Sequence, residues 1–335
     1  MKKKLLHIMM GQHNPDFQRG LNTVFDCLHF DWTKFGQNYF QLQSELINAN
    51  NNFNADYIFM HTQSDAVRIE TLKELSKNSK IINWTGDVRK EVPNWMIDYS
   101  NDVDLTLFSN MNDVQTSIQK GVRADFLQVG FDKIHFNPLG EKGNYPEILF
   151  LGSNYGDMFP LSSFRRQMVE RLKNEFGSRF GVYGNGWDIT NDISTNHLYH
   201  LPHIKSNVNS TNKIADGNIT NYAEEGKAYR SCKIAINLSH FAYSRYSSDR
   251  MFRILGSGTF CLTHRFPDIE KDFKIGEEVV VWESIDDLVS KINYYLKNER
   301  EREIIAMRGC ALARNKYTWN NFAENLKQII EKNER

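Results

Sequence analysis

Cysteine is scarce in this chain, with four in 335 residues. Cys27, Cys232, Cys261 and Cys310 lie too far apart for a C-x-x-C pair, which excludes a zinc knuckle and a disulfide framework and fits a reducing cytoplasm. Net charge is missing too: 41 basic residues stand against 41 acidic ones, so no global field favours a polyanion. No apolar run approaches the roughly 18 residues of a membrane span. The start, MKKKLLHIMMGQHN, is basic and then apolar, but the apolar run is six residues including His7. No small-residue cleavage site follows it, so it reads as a first buried strand rather than a signal peptide. No strand is followed by G-x-G-x-x-G with a ribose-binding acid beyond it, which argues against a nicotinamide oxidoreductase.

What is present is a core. Hydrophobic residues make up 40% of the chain and aromatics 13%, enough for two α/β domains at roughly 150 residues each. Apolar runs LLHIMM (5–10), ADYIFMH (55–61), KIINWTG (80–86), VDLTLFS (103–109) and ADFLQVG (124–130) alternate with segments such as SDAVRIETLKELSKN that suit a helix. This alternation implies a parallel sheet with crossovers. The stretch NPLGEKGNYP marks a boundary, after which the grammar repeats: EILFLGS, a helix at about 161–176, RFGVYG, AEEGKAYRSC, KIAINLS, a short helix, TFCLTH, EVVVW and a helix from Ser284 to Asn298. The expected division is 1–137, a linker 138–146, a second domain 147–318 and a final helix 319–335. The Asn-rich segment 188–221 reads as a long connection or insertion.

In an open parallel sheet, ligands sit at the carboxyl ends of the strands, where helix N-termini offer free N–H groups. HFAYSRYSSDR leaves the end of KIAINLS and runs into a helix near Ser248. Ser247, Ser248, the backbone there, Arg245 and Arg250 could hold a phosphate or diphosphate. A plain Ser or Asp cap with solvated arginines is the equal alternative. Gly256 and Gly258 end that helix after barely two turns. LFLGSNYGD offers Gly152 and Ser153, and VYGNGW offers Gly184, Asn185 and Gly186, with Trp187 either stacking on a base or, more in keeping with its type, covering the core. In the first half, Asp87 of NWTGDVRKE follows a buried strand and is a candidate for acid or base work, or else a helix cap. Gly11, Gln12 and His13 follow the first strand in the same way. No metal site is read: Pro202 breaks the helix that would align His197, His200 and His203. The Asp102-Val103-Asp104 triplet reads as the start of a strand.

Residues 248–326 carry a recognisable order. An Arg-x-Phe helix ends in a small-Gly pair, followed by Phe-x-Leu-Thr, Pro-Asp-Ile-Glu, Gly-Glu-Glu before a Val-rich strand, a helix ending Tyr-Tyr-Leu, and Tyr-Thr-Trp. With NWTGDVR, FLGSNY and VYGNGW, the chain resembles the group-1-like GT-B glycosyltransferases, specifically the spore-maturation (CgeB-like) set. The resemblance implies two facing Rossmann-like domains with parallel sheets and a C-terminal helix packing back toward the first. It implies sugar transfer from a nucleoside-diphosphate sugar, with a UDP-sugar the expected donor and no further cofactor. Donor binding would fall to Gly152, Ser153, Gly184, Asn185, Gly186, Trp187, Arg245, Tyr246, Ser247, Ser248, Asp249 and Arg253. Arg250 would meet the leaving diphosphate and Asp87 the acceptor, with Gly11, Gln12 and His13 on the acceptor side.

Many group-1 enzymes have two glutamates eight positions apart, one near the donor sugar and one near the ribose. Arg245 and Arg253 stand there in this chain, so neither the ribose contact nor a retaining course is implied. Two rivals remain: a phage-type enzyme acting on modified DNA bases, and a non-catalytic nucleotide or sugar sensor. The acceptor and the oligomeric state are not encoded in any motif.

Overall fold

The computed structural model describes residues 2–11, 15–187, 215–219 and 221–334. The first half runs β1 (Lys4–Met9), α1 (Pro15–Val24), β2 (Asp26–Asp31), α2 (Tyr39–Phe53), β3 (Tyr57–His61), α3 (Ile69–Leu75), β4 (Lys80–Thr85), α4 (Asn94–Asp98), β5 (Leu105–Phe108), α5 (Met111–Gln119) and β6 (Ala124–Phe126). The second runs β7 (Ile148–Leu151), α6 (Ser162–Phe176), β8 (Phe180–Tyr183), α7 (Tyr222–Ser231), β9 (Ile234–Asn237), α8 (Asp249–Gly256), β10 (Phe260–His264), β11 (Val280–Trp282), α9 (Ile285–Lys297), α10 (Glu299–Lys316) and α11 (Trp319–Asn333). Among the described residues no helix is long and apolar enough to cross a membrane.

Two parallel sheets result, one ordered β2-β1-β3-β4-β5-β6 and the other β11-β10-β9-β7-β8. Helices cover both faces of such sheets, so central strands such as ILFL and IAIN are buried throughout and read as unbroken apolar runs. In chain order both sheets follow one plan: the first strand lies between the second and the third. The chain therefore reverses direction across the sheet between β1 and β3, and again between β7 and β9. A crevice opens at the carboxyl ends of the strands at each reversal.

The last helix returns to the first sheet, as the resemblance implied. Thr318 and Asn321 form a capping box at its start. Trp319 then stacks on Phe17 of α1 at 4.2 Å, and Phe322 packs against Phe59 and Trp84.

Beneath α1, a row of histidines crosses the first sheet. His7 Nδ1 lies 3.1 Å from His29 Nδ1, and His61 stacks parallel to His7 at 6.5 Å. Burial pushes all three imidazoles down, His61 to about 4, with His61 and His29 adding to the effect on His7. The unfolded chain therefore takes up protons first as pH falls below about 6.5. Stability is expected to be flat above neutrality and to fall between about pH 6.5 and 4, by ~3 kcal/mol from His61 alone, with His7 and His29 adding to the loss. Urea titrations across that range check it; an unchanged midpoint contradicts it.

Candidate functional site

The crevice between β7 and β9 collects charge. At the end of β7 the chain turns through Gly152, and α6 follows. Its Arg165 folds back under that turn and is 1% exposed. Arg165 Nη1 donates to Leu238 O at 3.1 Å and to His240 Nε2 at 3.0 Å, both past the end of β9. Its guanidinium carbon lies 4.7 Å from the centre of the Phe150 ring. Arg165 Nε and Nη2 are buried without a hydrogen-bond partner among the described residues.

Arg250, from the first turn of α8, donates to the same Leu238 oxygen at 3.1 Å and lies over the same ring at 5.6 Å. A Cβ on residue 152 would stand 2.0 Å from Arg165 Nη2 and 3.1 Å from Arg250 Nη2, so only glycine leaves room for both. Among the described residues neither arginine has a carboxylate within ion-pair distance. Burial first, and then Arg250, pushes the Arg165 guanidinium well below its ordinary value. A buried cation and a half-buried one, with no carboxylate beside either, favour an anion.

Helix α8 adds its own N-terminus. Ser248 is the cap residue but makes no side-chain cap bond; its hydroxyl donates to Asn237 Oδ1 at 3.2 Å instead. No serine side chain caps the helix, and Asp249 Oδ1 accepts from Arg250 N at 2.7 Å. Ser247 is fully buried, with its Oγ unpartnered among the described residues. The helix stops where Gly256 packs on Phe131: a Cβ there would meet the ring at 2.2 Å. The short helix thus sits close on the segment that leaves the first sheet.

Other expected donor residues divide into two groups. Gly152, Ser153, Gly184, Asn185 and Gly186 come together as one wall: Gly152 N donates to Tyr183 O at 2.8 Å, and Asn185 N to Ser153 Oγ at 3.3 Å. Trp187 is 2% exposed, and its indole N–H donates to Gly152 O at 2.7 Å. It covers the core and leaves no face for a base.

Arg245 does not join Arg250. A left-handed backbone, φ +57°, turns it onto Asp272 at 2.7 and 3.0 Å and over the Phe126 ring at 4.1 Å. Arg253 is likewise engaged, by Glu225 at 2.9 Å, by Asp249 and by the Tyr222 ring at 4.7 Å. Both arginines are paired with carboxylates where they stand: Arg245 is turned away from the diphosphate it was expected to hold, and Arg253, expected as a donor contact, lies against Glu225 and Asp249.

The two halves touch beside this crevice: Met111 N donates to Ser244 O at 2.9 Å and Ser244 N to Asn112 Oδ1 at 2.7 Å. Asp87 faces it from the loop after β4. Its side chain reaches solvent, yet protein surrounds it on most sides, as for a group on a cleft wall. Burial raises its carboxyl, Arg89 opposes this, and the charge of Asp249 across the cleft adds to the rise. Tyr246 has its phenol pushed up by burial and by Asp87 and Asp249. Asp87 caps no helix, since α4 begins only after Pro93. Beside it Arg89 donates to Thr85 Oγ1 at 2.9 Å and to Gln63 Oε1 at 2.8 Å. Gly11 donates its N–H to Asp31 at 2.8 Å at the first sheet's own reversal. Gln12, His13, His197, His200 and His203 lie outside the described residues. Among those described, no group of three or more His, Cys, Asp or Glu is placed to hold a metal ion.

Arg165 and His240 were not among the sequence candidates. One signal was available: SSFRRQ opens a helix with cations and no acid in its first turn, against the helix dipole, unless an anion sits there.

Comparison with known proteins bears on the fold. Residues 165–328, just under half of the chain, match a family model described as glycosyl transferase-like. A glycosyltransferase from Rickettsia africae is similar in structure, with a TM-score of 0.62 and 11% identity over 100% of this chain and 99% of that one. Anabaena HepE, solved with UDP and glucose, gives a TM-score of 0.60 and 10% identity over 99% and 100%. Sucrose-phosphate synthase from Thermosynechococcus elongatus gives 0.57 and 9% over 99% of each chain. No curated protein matches. The fold is the GT-B fold, with two parallel α/β sheets and a returning C-terminal helix.

Proposed function

We propose that this chain is a glycosyltransferase that moves a sugar from a nucleoside-diphosphate sugar, a UDP-sugar in the first instance, to a hydroxyl acceptor. The observation that carries the reading is the arginine pair at the crevice between β7 and β9, Arg165 buried and Arg250 half-buried, with no carboxylate within ion-pair distance of either among the described residues. HepE, a structural neighbour, was solved with UDP and glucose and with UDP-glucose. In this reading residues 1–137 form the acceptor-side unit, 138–146 the linker, 147–318 the donor unit and 319–335 the returning helix. We read the chain as of the spore-maturation (CgeB-like) type, the transferred unit as a hexose, and the setting as a reducing cytoplasm in keeping with four free thiols.

The chemistry follows from the charges. The acceptor oxygen bonds to the anomeric carbon as the bond from that carbon to the diphosphate oxygen breaks. The electron pair leaves with the diphosphate, whose growing charge meets Arg250, Arg165 and the α8 N-terminus. The proton released by the acceptor goes to Asp87, whose raised affinity for protons suits a base better than an ordinary carboxylate would. Ser153, Gly184, Asn185 and Gly186 line the donor wall, Ser247 and Ser248 lie at the helix start, and Gly11, Gln12 and His13 serve the acceptor side. Two arginines supply the positive charge that a divalent cation would otherwise supply to the diphosphate, so no metal is needed.

A thermal-shift panel of nucleoside diphosphates and their sugar conjugates, with and without chelator, tests this. At about a hundred times its dissociation constant the matching donor should add ~2.7 kcal/mol of stability. Chelator should change nothing. No shift with any nucleotide, or a shift that chelator abolishes, counts against the proposal.

A further inference from the structure

We propose that His240 is a positioning residue for diphosphate recognition: a neutral acceptor that fixes the Arg165 guanidinium without cancelling its charge. This inference rests on the reading of the site given above.

A guanidinium has donors only, so the 3.0 Å contact between Arg165 Nη1 and His240 Nε2 requires the imidazole nitrogen to accept. The ring proton then resides on Nδ1, which is itself buried without a partner among the described residues. The imidazole is held in place by aromatic neighbours, Phe159 at 4.8 Å and Tyr155 at 5.0 Å. Its backbone oxygen accepts from Leu161 N at 3.1 Å, at the start of α6, the helix that carries Arg165.

The choice of residue has an electrostatic consequence. Buried arginines are ordinarily held by a carboxylate, which satisfies the fork and neutralises it. Arg253 with Glu225 and Arg245 with Asp272 follow that pattern nearby. Arg165 is instead held by a backbone carbonyl and an imidazole, so its whole charge, with that of Arg250, stays available to a ligand. Burial and the two arginines hold the imidazole down to about 2, so it stays an acceptor across any working pH. The arginines thus keep the histidine neutral, and the neutral histidine keeps Arg165 aimed.

Glutamine and glutamate have the same length and reach to about where Nε2 stands, and they differ only in charge. Calorimetric titration of the full chain with UDP, UMP and inorganic pyrophosphate, alongside ligand-free urea unfolding, separates the roles. His240→Gln should hold UDP within about threefold of the parent. His240→Glu should be as stable as the parent or more so, yet lose about thirtyfold or more in affinity for UDP and pyrophosphate. Its affinity for UMP should fall much less. A purely structural histidine would lower unfolding stability in both variants and leave the ratio of UDP to UMP affinity unchanged. That result overturns the inference, as does an H240E variant that binds UDP like the parent or an H240Q variant that loses as much as H240E. A parent protein that binds neither UDP nor pyrophosphate overturns the site reading and this inference with it.

Discussion

Replacing Arg165 with methionine is expected to weaken binding of a nucleoside diphosphate by about a hundredfold, ~3 kcal/mol, while leaving the ligand-free protein as stable as before or more stable. The two halves of this prediction share one cause. In the free protein Arg165 is a buried cation with two unpartnered donor atoms, so its desolvation is only partly offset. Methionine keeps an apolar stem against Phe150 and removes that cost. Leu238 O keeps its bond from Arg250, so no carbonyl is orphaned. With a diphosphate bound, the same cation meets opposite charge in a low-dielectric site, and its loss is felt in full. Titration calorimetry with UDP and urea unfolding of the same samples give both numbers. A large stability loss with unchanged affinity would make Arg165 a structural residue and remove it from the site.

Asp87→Asn should lower turnover by roughly a hundredfold, the lower end of the range for a lost general base, with donor affinity within about threefold of the parent. If anything, donor binding should tighten, because a negative charge facing Asp249 across the cleft disappears. The pH profile carries the sharper signature. The reaction needs Asp87 unprotonated, and its carboxyl is raised by burial and by Asp249. Activity of the parent is therefore expected to fall as pH drops through a value above that of an ordinary aspartate. The asparagine variant should lack that limb. Unchanged turnover in Asp87→Asn would remove Asp87 from the mechanism.

The sheets were legible because parallel strands are buried on both faces. KIAINLS and TFCLTH carry β9 and β10 as plain apolar runs. Strand β2, DCLHFD, was not legible: it is an edge strand with half-buried positions, and its two aspartates and histidine break any run. Helix α10 also escaped, because Arg302, only 4% exposed, occupies an inward position and blurs the apolar stripe by donating to Tyr295 O.

The site divides in the same way. Gly152, Ser247, Ser248 and Arg250 follow from local grammar, since each sits at a strand end or a helix start. Arg165 does not, because a helix arginine reads as solvated until β9 is known to lie beside it. The fates of Arg245 and Arg253 turn on Asp272, 27 residues on, and Glu225, 28 residues back. Such pairings are settled by packing and leave no local pattern.

The most direct test of the account compares UDP with UMP by titration calorimetry on the unmodified chain. Two uncompensated arginines aimed at a diphosphate predict that UDP binds about a hundredfold tighter than UMP, a gap of ~2.7 kcal/mol that narrows as salt is raised. Equal affinities would mean that the arginine pair does not read the second phosphate, and the proposed donor site would be wrong.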